Sequence, residues 1–351
     1  MRCLLWEFLF AACLVGFGAM GGAAAQELFR ATVAPLAPPD VLRNSEAAII
    51  SLKDGSLLLG WTEFYGANAA DHGPARLRGK ASVDGGRTWG ESCTMVENDG
   101  GCNVMEVNFI RLKNGDLALF YCQKNTESTD CRVIMRTSKD EGRTWGPAKQ
   151  LSPEGKYTGL TNGRCIRLKT GRIVLEAWEG GTSYCYLSDD EGQTWRESQR
   201  VKPTPGECWE PVAIELKDGR VMMLLRTQLG GQYKALSKDG GETWSEPEPT
   251  PLVGTAAPAS LSRIPATGDL LVIWNHNPGA KTRNPLTSAV SKDEGETWEL
   301  FRNIEDELSG AWAYPAVTWA DGGALLTYFE YVSQGERLLL NVIPAAWFYG
   351  K

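Results

Sequence analysis

The sequence predicts an all-β fold, a six-bladed β-propeller with Asp-box repeats, from three observations. An eight-residue pattern, Ser-x-Asp-x-Gly-x-x-Trp, here called the Asp box, occurs five times, with its aspartates at Asp84, Asp140, Asp190, Asp239 and Asp293. These aspartates lie 56, 50, 49 and 54 residues apart, the period of one supersecondary unit repeated around an axis. Six hairpin-turn signals divide the same stretch of chain, so six four-stranded units account for its length.

Each unit is predicted to begin with two apolar strands joined by a tight turn. The turn sequences are LKDG from Leu52, LKNG from Leu112, LKTG from Leu168, LKDG from Leu216, ATGD from Ala266 and ADGG from Ala320. Glycine with polar neighbours between runs of Ile, Leu and Val is typical of β-hairpins. A third strand then enters the Asp box.

The Asp boxes themselves are predicted to be structural. In each box we expect the Asp to accept backbone hydrogen bonds within the turn. The Gly takes a backbone conformation that a Cβ would oppose, and the Trp packs between sheets. The boxes therefore predict the fold, and the chemistry must come from other residues.

Residues 1–25 are predicted to be a secretory signal peptide and residues 26–351 a single propeller domain. Arg2 precedes an apolar stretch from Phe8 to Met20, and small residues with an Ala-x-Ala arrangement come before Gln26. This predicts a secreted or periplasmic protein with no membrane span in the mature chain. A membrane anchor is the alternative, although the apolar stretch is short for a bilayer span.

The charge pattern excludes some partners. The net charge is −7 and the sequence has no run of Lys or Arg, whereas nucleic acids and anionic membranes bind concentrated basic faces. A few local arginines can still hold a small anionic ligand. No Cys-x-x-Cys or paired-His spacing indicates zinc, and the sequence predicts no metal and no cofactor.

Seven cysteines follow the predicted signal peptide, an odd number that leaves at least one without an intrachain partner. Export permits disulfides. The simplest loop closures by separation are Cys93 with Cys102 and Cys122 with Cys131.

Polar residues begin the innermost strands, where propellers place ligands over the central axis. Glu46, Glu106 and Glu210 each lie nine residues before a turn glycine. Tyr314 and Ser260 lie eight residues before theirs, Arg164 lies seven before, and Arg43 precedes Glu46 by three. Charged side chains at strand positions that are otherwise apolar predict an occupied central site.

Four further segments place candidate residues relative to the boxes and turns. In WEPVAIELKDGRVMMLLRT, Glu210 precedes Arg226 by 16 residues, so a strand-turn-strand brings the two side by side. Arg283 in NHNPGAKTRNPLTSAVSKDEG comes shortly before the last box. AWAYPAVTW contains Tyr314, and YFEY contains Glu330.

With these segments the sequence resembles the sialidase (neuraminidase) family over nearly the whole mature chain. Asp-box propellers of that family hydrolyse terminal sialic acids, and three arginines hold the sugar carboxylate. The resemblance implies that Arg43, Arg226 and Arg283 are these arginines and that Tyr314 is the nucleophile, assisted by Glu210.

The resemblance also implies that Asp71 in DHG, 28 residues after Arg43, is the acid/base, with His72 and Glu63 as alternatives. It implies that Glu330 is the acid that steadies Arg43. The family pattern does not explain Glu46, Glu106 and Arg164, which remain extra charged candidates for the rim of the site.

The chemistry gives reasons for these residue types. A planar guanidinium offers two parallel donors to a carboxylate. The anomeric carbon of a sialic acid carries that carboxylate, so it repels an anionic nucleophile but not a neutral tyrosine. Asp71 must be protonated to assist the leaving group, which predicts a pKa raised by partial burial or by the anionic surroundings of the site.

The predicted function is a retaining exo-α-sialidase with a sialylated glycan or other anionic sugar as its partner. The extra charges leave the sugar open, since a deaminated sialic acid or Kdo carries the same carboxylate. A hydrolase or lyase acting on uronic-acid polysaccharides and a non-catalytic carbohydrate-binding propeller are the alternatives. Arg43 lies in LRNSEAAII and not in the Arg-Ile-Pro usual for the family, and the Arg-Ile-Pro at Arg263 is interpreted as a coincidence.

Overall fold

The computed structural model describes residues 28–279 and 281–351, and the regular secondary structure of these residues is almost only β-strand. The predicted signal peptide, with Cys3 and Cys13, lies outside the described residues and stays a prediction. None of the helices in the described ranges is long and apolar enough to cross a bilayer.

The strands follow one another in repeated units after a single leading strand, β1 (Phe29–Ala34). Unit 1 contains β2 (Val41–Ser51), β3 (Leu57–Tyr65), β4 (Ala75–Ser82) and β5 (Cys93–Val96). Unit 2 contains β6 (Asn103–Arg111), β7 (Leu117–Lys124), β8 (Cys131–Ser138) and β9 (Lys149–Gln150). Unit 3 contains β10 (Cys165–Arg167), β11 (Ile173–Glu179), β12 (Thr182–Ser188) and β13 (Arg196–Glu197).

Units 4 and 5 have the same plan. Unit 4 contains β14 (Cys208–Glu215), β15 (Val221–Thr227), β16 (Gly231–Ser237) and β17 (Glu248–Val253). Unit 5 contains β18 (Ser260–Arg263), β19 (Leu270–Trp274), β20 (Leu286–Ser291) and β21 (Glu299–Glu305). Unit 6 contains β22 (Trp312–Ala320), β23 (Gly323–Val332) and β24 (Gly335–Pro344), and a short 3-10 helix (Ala345–Tyr349) follows.

The leading strand completes the last unit and closes the ring. β1 pairs antiparallel with β24, so unit 6 also has four strands. Units 2 to 5 are separate four-stranded sheets, whereas units 1 and 6 join in one eight-stranded sheet through a parallel pair at Arg43 and Glu336. The described residues thus contain six four-stranded units, and the predicted all-β Asp-box propeller is confirmed.

The opening strands of neighbouring units face one another around the ring. β2 contacts β6 and β22, β6 contacts β10, and β18 contacts β14 and β22, while β11 and β14 join units 3 and 4. The apolar core lies between the sheets: Val221 to Leu225 of β15, for example, are all buried because neighbouring sheets cover both faces. Burying such side chains stabilises the fold by about 1.5–3 kcal/mol each.

The Asp box has the structural role that the sequence predicts. In the first box, Asp84 Oδ1 accepts from the Thr88 N–H at 2.8 Å and from the Ser82 hydroxyl at 2.9 Å. Gly86 has φ 87°, and its N–H donates to Ser82 Oγ at 2.9 Å. The Trp89 indole donates to the Gly86 carbonyl at 3.0 Å, which fixes the ring against the turn.

Arg263, in the Arg-Ile-Pro segment, belongs to a structural contact. Its guanidinium binds both oxygens of Glu294 at 2.8 Å, and Glu294 also accepts from the Lys217 N–H of unit 4 at 2.7 Å. Arg111 with Glu141 and Arg167 with Glu191 repeat this bidentate pair in units 2 and 3. Arg263 therefore joins two units and is not part of the central site.

Candidate active site

Four opening strands bend sharply at predicted site positions. Glu46, Glu106, Glu210 and Tyr314 have φ values of 45°, 68°, 46° and 57°, and the pairing register of each strand shifts there. A β-bulge of this kind redirects side chains. Left-handed non-glycine residues cost about 1–3 kcal/mol each and cluster at functional sites. All four side chains line one cavity.

This cavity has a volume of about 310 Å³, a size typical of small-molecule sites. Eight of the ten residues predicted for the site line it, namely Arg43, Glu46, Asp71, Glu106, Glu210, Arg226, Arg283 and Tyr314. The other two, Arg164 and Glu330, do not. The structure therefore brings most of the candidates together, and their chemical roles stay predictions.

Tyr314, Glu210 and Arg226 form a connected group. The Tyr314 phenol donates to Glu210 Oε1 at 2.6 Å, and Arg226 Nη1 donates to Glu210 Oε2. Burial and the charge of Glu210 raise the pKa of Tyr314 well above its usual range, with Arg226 and Arg283 acting in the opposite direction. The neutral form of the phenol is therefore favoured, and the Glu210 carboxylate accepts its hydrogen bond.

Arg43 is surrounded by carboxylates. Its Nη1 donates to Asp71 Oδ1 at 2.6 Å, its Nη2 to Glu46, and its Nε lies 2.9 Å from Glu336 Oε2. Phe64 covers one face of the guanidinium, 4.3 Å from Cζ to the ring centroid. Burial opposes the charge, but the three carboxylates raise the pKa of Arg43 well above its usual value.

The prediction that Glu330 steadies Arg43 is wrong. The Glu330 carboxylate accepts from Arg337 Nε at 2.5 Å and lies 3.8 Å from Arg30, both outside the cavity. Glu336 takes the expected place because β24 pairs with β2 only at the ring closure, where Arg43 and Glu336 are directly opposite. Such a contact between the two ends of the chain has no local sequence signal.

Arg283 completes a set of three arginines at the cavity. It comes from the loop before β20, and its Cζ lies 5.4 Å from the centroid of the Tyr314 ring. Its Nη1 donates to Tyr331 Oη at 2.7 Å. Three guanidinium groups around one cavity are suited to binding a carboxylate.

Asp71 lies on the loop between β3 and β4. Its carbonyl accepts from Asn103 Nδ2 at 2.9 Å and from Lys124 Nζ at 3.1 Å, so its backbone is anchored. Partial burial favours the neutral acid, but Arg43, followed by Lys124 and Arg283, lowers the pKa of Asp71. The expectation of a raised pKa is therefore wrong for the ligand-free protein.

The two alternatives to Asp71 lie outside the cavity lining. Glu63 pairs with Arg76, whose Nη2 is 2.7 Å from Glu63 Oε1. His72 Nδ1 is 3.5 Å from a carboxylate oxygen of Glu127. Of the three candidate acids, only Asp71 lines the cavity.

Arg164 lies beneath the cavity and not at its rim. It is 1% exposed, and its Nη1 donates to the Pro315 carbonyl at 3.4 Å. Burial lowers its pKa to about 10, with Glu176, Glu210 and Glu106 opposing. Arg164 is thus a buried cation below the acids of the site, and its predicted rim position is wrong.

Glu106 faces the cavity in surroundings that favour its neutral form. Burial raises its pKa well above the usual value, and the charges of Glu46 and Glu210 and the nearby Cys122 thiol act in the same direction. Its Oε2 has no hydrogen-bond partner among the described residues. A neutral carboxyl group at this position can both donate and accept a hydrogen bond.

One wall of the cavity consists of residues that the sequence did not indicate. It is lined by Met105, Cys122, Cys131, Tyr157, Leu160 and Trp178. A partial signal exists, because hairpin pairing puts Cys122 opposite Met105, the neighbour of Glu106. This wall gives the charged site an apolar side.

The two predicted disulfides are wrong. Cys102, Cys122 and Cys131 are free thiols. Cys122 and Cys131 are diagonal neighbours on β7 and β8, since Cys122 pairs with Val133 and Cys131 with Lys124. Diagonal Cα atoms are about 7–8 Å apart, farther than most disulfides span.

Comparison with known proteins identifies relatives of this fold. Residues 77–326 match the family model described as BNR repeat-like domain. The sialidase of Micromonospora viridifaciens is 24% identical over 98% of this chain and 60% of its own length. Sialidase B of Streptococcus pneumoniae is 29% identical over 60% of this chain and 33% of its own length, so the chain spans less than two thirds of both relatives.

Solved structures show the same fold. A K499G mutant of NanB sialidase from Streptococcus pneumoniae superposes with a TM-score of 0.74 at 15% identity, over 90% of this chain and 70% of that one. Trypanosoma rangeli sialidase superposes with a TM-score of 0.72 at 17% identity, over 91% of this chain and 60% of that one. With the family model matching more than two thirds of its residues, this chain belongs to the sialidase (neuraminidase) family of Asp-box, or BNR-repeat, β-propellers.

Proposed function

We propose that this protein is a retaining exo-α-sialidase that removes terminal α-linked sialic acids, or a related α-keto acid sugar, with Tyr314 as nucleophile. The observation that carries this proposal is the contact of the arginines with the phenol. Arg226 and Tyr314 share Glu210 as a hydrogen-bond partner, and Arg283 lies over the Tyr314 ring. A carboxylate bound by these arginines lies next to the attacking oxygen.

This proximity favours an α-keto acid sugar over a uronic acid. In a sialoside the carboxylate and the leaving group share the anomeric carbon, so binding the carboxylate brings that carbon to the nucleophile. In a uronic acid glycoside the carboxylate is on a different carbon, and the same arginines would hold it in the place where the anomeric centre has to react.

The proposed reaction has two steps. Tyr314 Oη attacks the anomeric carbon while its proton passes to Glu210 Oε1, and the glycosidic bond breaks with its electron pair going to the leaving oxygen. Protonated Asp71 gives that oxygen a proton. A water molecule then attacks the anomeric carbon, Asp71 takes its proton, and the Tyr314 phenolate leaves and recovers its proton from Glu210.

Relatives support a sialidase-like activity. Trypanosoma rangeli sialidase forms a covalent intermediate with 2,3-difluorosialic acid. A covalent step at Tyr314 would give retention, because two inversions at one carbon restore its configuration. We also propose that residues 1–25 direct export, which N-terminal sequencing of protein from the periplasm or the medium would test.

The direct test is release of a fluorophore from its α-sialoside and from its uronic acid glycosides. We expect turnover of the sialoside alone, with the α-anomer of the free sugar detected first by proton NMR. Binding of sialic acid without turnover would identify a carbohydrate-binding propeller. Turnover only of uronic acid glycosides, or first release of the β-anomer, would contradict the proposal.

A further inference from the structure

We propose that Asp71 is an internal ligand of Arg43, that the carboxylate of the substrate displaces it, and that this displacement makes Asp71 available as the acid. This inference rests on the proposed function and describes how the same site is regulated. It follows from the contacts of Arg43, from the exposure of its partners and from the charges around Asp71.

All three nitrogens of Arg43 already have protein partners. Nε donates to Ser45 Oγ at 2.8 Å, and Nη2 donates to Glu46. Nη1 donates to Asp71 Oδ1 at 2.6 Å and to the Ala69 carbonyl at 3.4 Å. A substrate carboxylate can therefore bind Arg43 only by replacing one of these acceptors.

Exposure identifies the acceptor that gives way. The side chain of Glu46 is 1% exposed and that of Glu336 is 17% exposed, whereas that of Asp71 is 71% exposed. Moving either glutamate would require unpacking the strands β2 or β24. Asp71 needs only a side-chain rotation, because Asn103 and Lys124 hold its carbonyl in place.

The charges around Asp71 link this displacement to a proton. The charged and titratable groups that surround it are Arg43, Glu46, His72 with Glu127, Lys124, Tyr157, Arg283 and Glu336. In the ligand-free protein, Arg43 and the other two cations outweigh partial burial and lower the pKa of Asp71. A bound substrate carboxylate pairs with these cations in place of Asp71 and adds a negative charge nearby. Both effects raise the pKa of Asp71.

Ligand binding must therefore be accompanied by uptake of a proton at pH values between the pKa of Asp71 in the ligand-free protein and its pKa in the complex. By linkage, the affinity for a carboxylate sugar rises as the pH falls through that range. The acid is thus charged while the site is empty and protonated once the substrate is bound, which is the state that the leaving group requires.

The test is titration calorimetry with N-acetylneuraminic acid at pH 5, in two buffers of different ionisation enthalpy. We expect the wild-type protein to take up a proton on binding. The variants Asp71→Asn and Asp71→Ala should take up none at this pH and bind about tenfold more tightly at pH 7, because the internal competitor is gone.

A matched control separates Asp71 from its neighbour. The variant His72→Gln should keep the proton uptake, and loss of the uptake in this variant would assign the proton to His72 and overturn the inference. Equal uptake in the wild-type protein and both Asp71 variants, with no gain in affinity at pH 7, would also overturn it. If the wild-type protein does not bind the sugar at all, the proposed function fails and this inference fails with it.

Discussion

Tyr314 Oη lies 2.6 Å from Glu210 Oε1, which joins unit 6 to unit 4 across the cavity. Both residues sit at β-bulges with positive φ, so the backbone of each strand is bent to make this contact. A buried neutral phenol next to a carboxylate is the arrangement that the proposed nucleophile and its base require. Four predictions test this site and the structure beneath it.

Replacing Tyr314 with Phe removes the proposed nucleophile and leaves the three arginines in position. We expect kcat to fall by about 10³-fold or more while N-acetylneuraminic acid still binds. The matched control is Tyr328→Phe, which removes another buried phenol of unit 6, one that hydrogen-bonds Glu305 outside the cavity. Steady-state kinetics and calorimetry would check both variants, and full activity of Tyr314→Phe would refute the mechanism.

Replacing Arg283 with Lys keeps the positive charge but loses the planar pair of donors. We expect KM for an α-sialoside to rise about tenfold, because charge-assisted hydrogen bonds to the carboxylate are lost. Arg263→Lys is the control, since Arg263 pairs with Glu294 away from the cavity. An unchanged KM in Arg283→Lys would show that this arginine does not bind the substrate.

Asn162 is predicted to position the nucleophile. It is fully buried in the segment before β10, and its Nδ2 donates to the carbonyls of Tyr314 at 3.3 Å and of Ala47, next to Glu46, at 2.7 Å. Asn162→Ala should lower kcat about tenfold with a smaller change in KM, because a small misplacement of the reacting atoms is costly. It should also destabilise the fold by about 1–3 kcal/mol.

A control distinguishes positioning from loss of stability. Gln232 is also a buried amide that donates to a carbonyl, that of Ala257 at 2.9 Å, but it lies away from the cavity. Gln232→Ala should lower the unfolding free energy with kcat unchanged. Equal losses of kcat in both variants, measured on folded protein, would remove the positioning role of Asn162.

Glu176 predicts a pH dependence of stability. Burial raises its pKa to about 8, with hydrogen bonds from backbone N–H groups and Arg164 opposing. The acid holds its proton when folded and loses it when unfolded at an ordinary pKa near 4.5. The stability that this acid contributes is therefore complete below about pH 4.5. It falls as the pH rises from there through 8, by at most about 1.4 kcal/mol per pH unit.

The variant Glu176→Gln keeps the acceptor for the Ala213 N–H, which Glu176 Oε1 binds at 2.9 Å. We expect its free energy of unfolding to rise relative to that of the wild-type protein between about pH 5 and 8. Above pH 8 the difference between the two should stay constant. Urea unfolding at several pH values would measure this, with the exposed acid Glu197→Gln as control. A difference that does not change with pH would contradict the buried acid.

Several of the predicted residues that line the cavity are tied to a local pattern. Glu46, Glu106 and Glu210 stand at a fixed distance from a turn glycine, and Glu210 and Arg226 are joined by one hairpin. The prediction that Glu330 contacts Arg43 is wrong because Glu336, on the next strand, takes that position. Glu336 faces Arg43 only when β24 pairs with β2. Strand pairing between distant segments leaves no spacing to read in the sequence.

The sequence by itself determined the repeated unit, since Asp boxes and turn glycines act within a few residues of themselves and set the hairpins wherever they occur. It also determined which strand starts carry polar side chains. Only the tertiary structure decided the electrostatics: which carboxylates surround Arg43, that Asp71 is held ionised by Arg43, that Arg164 is buried beneath the acids, and that Cys122 and Cys131 stay thiols. The reason is that pKa values and ion pairs depend on distance and burial among units far apart in the chain.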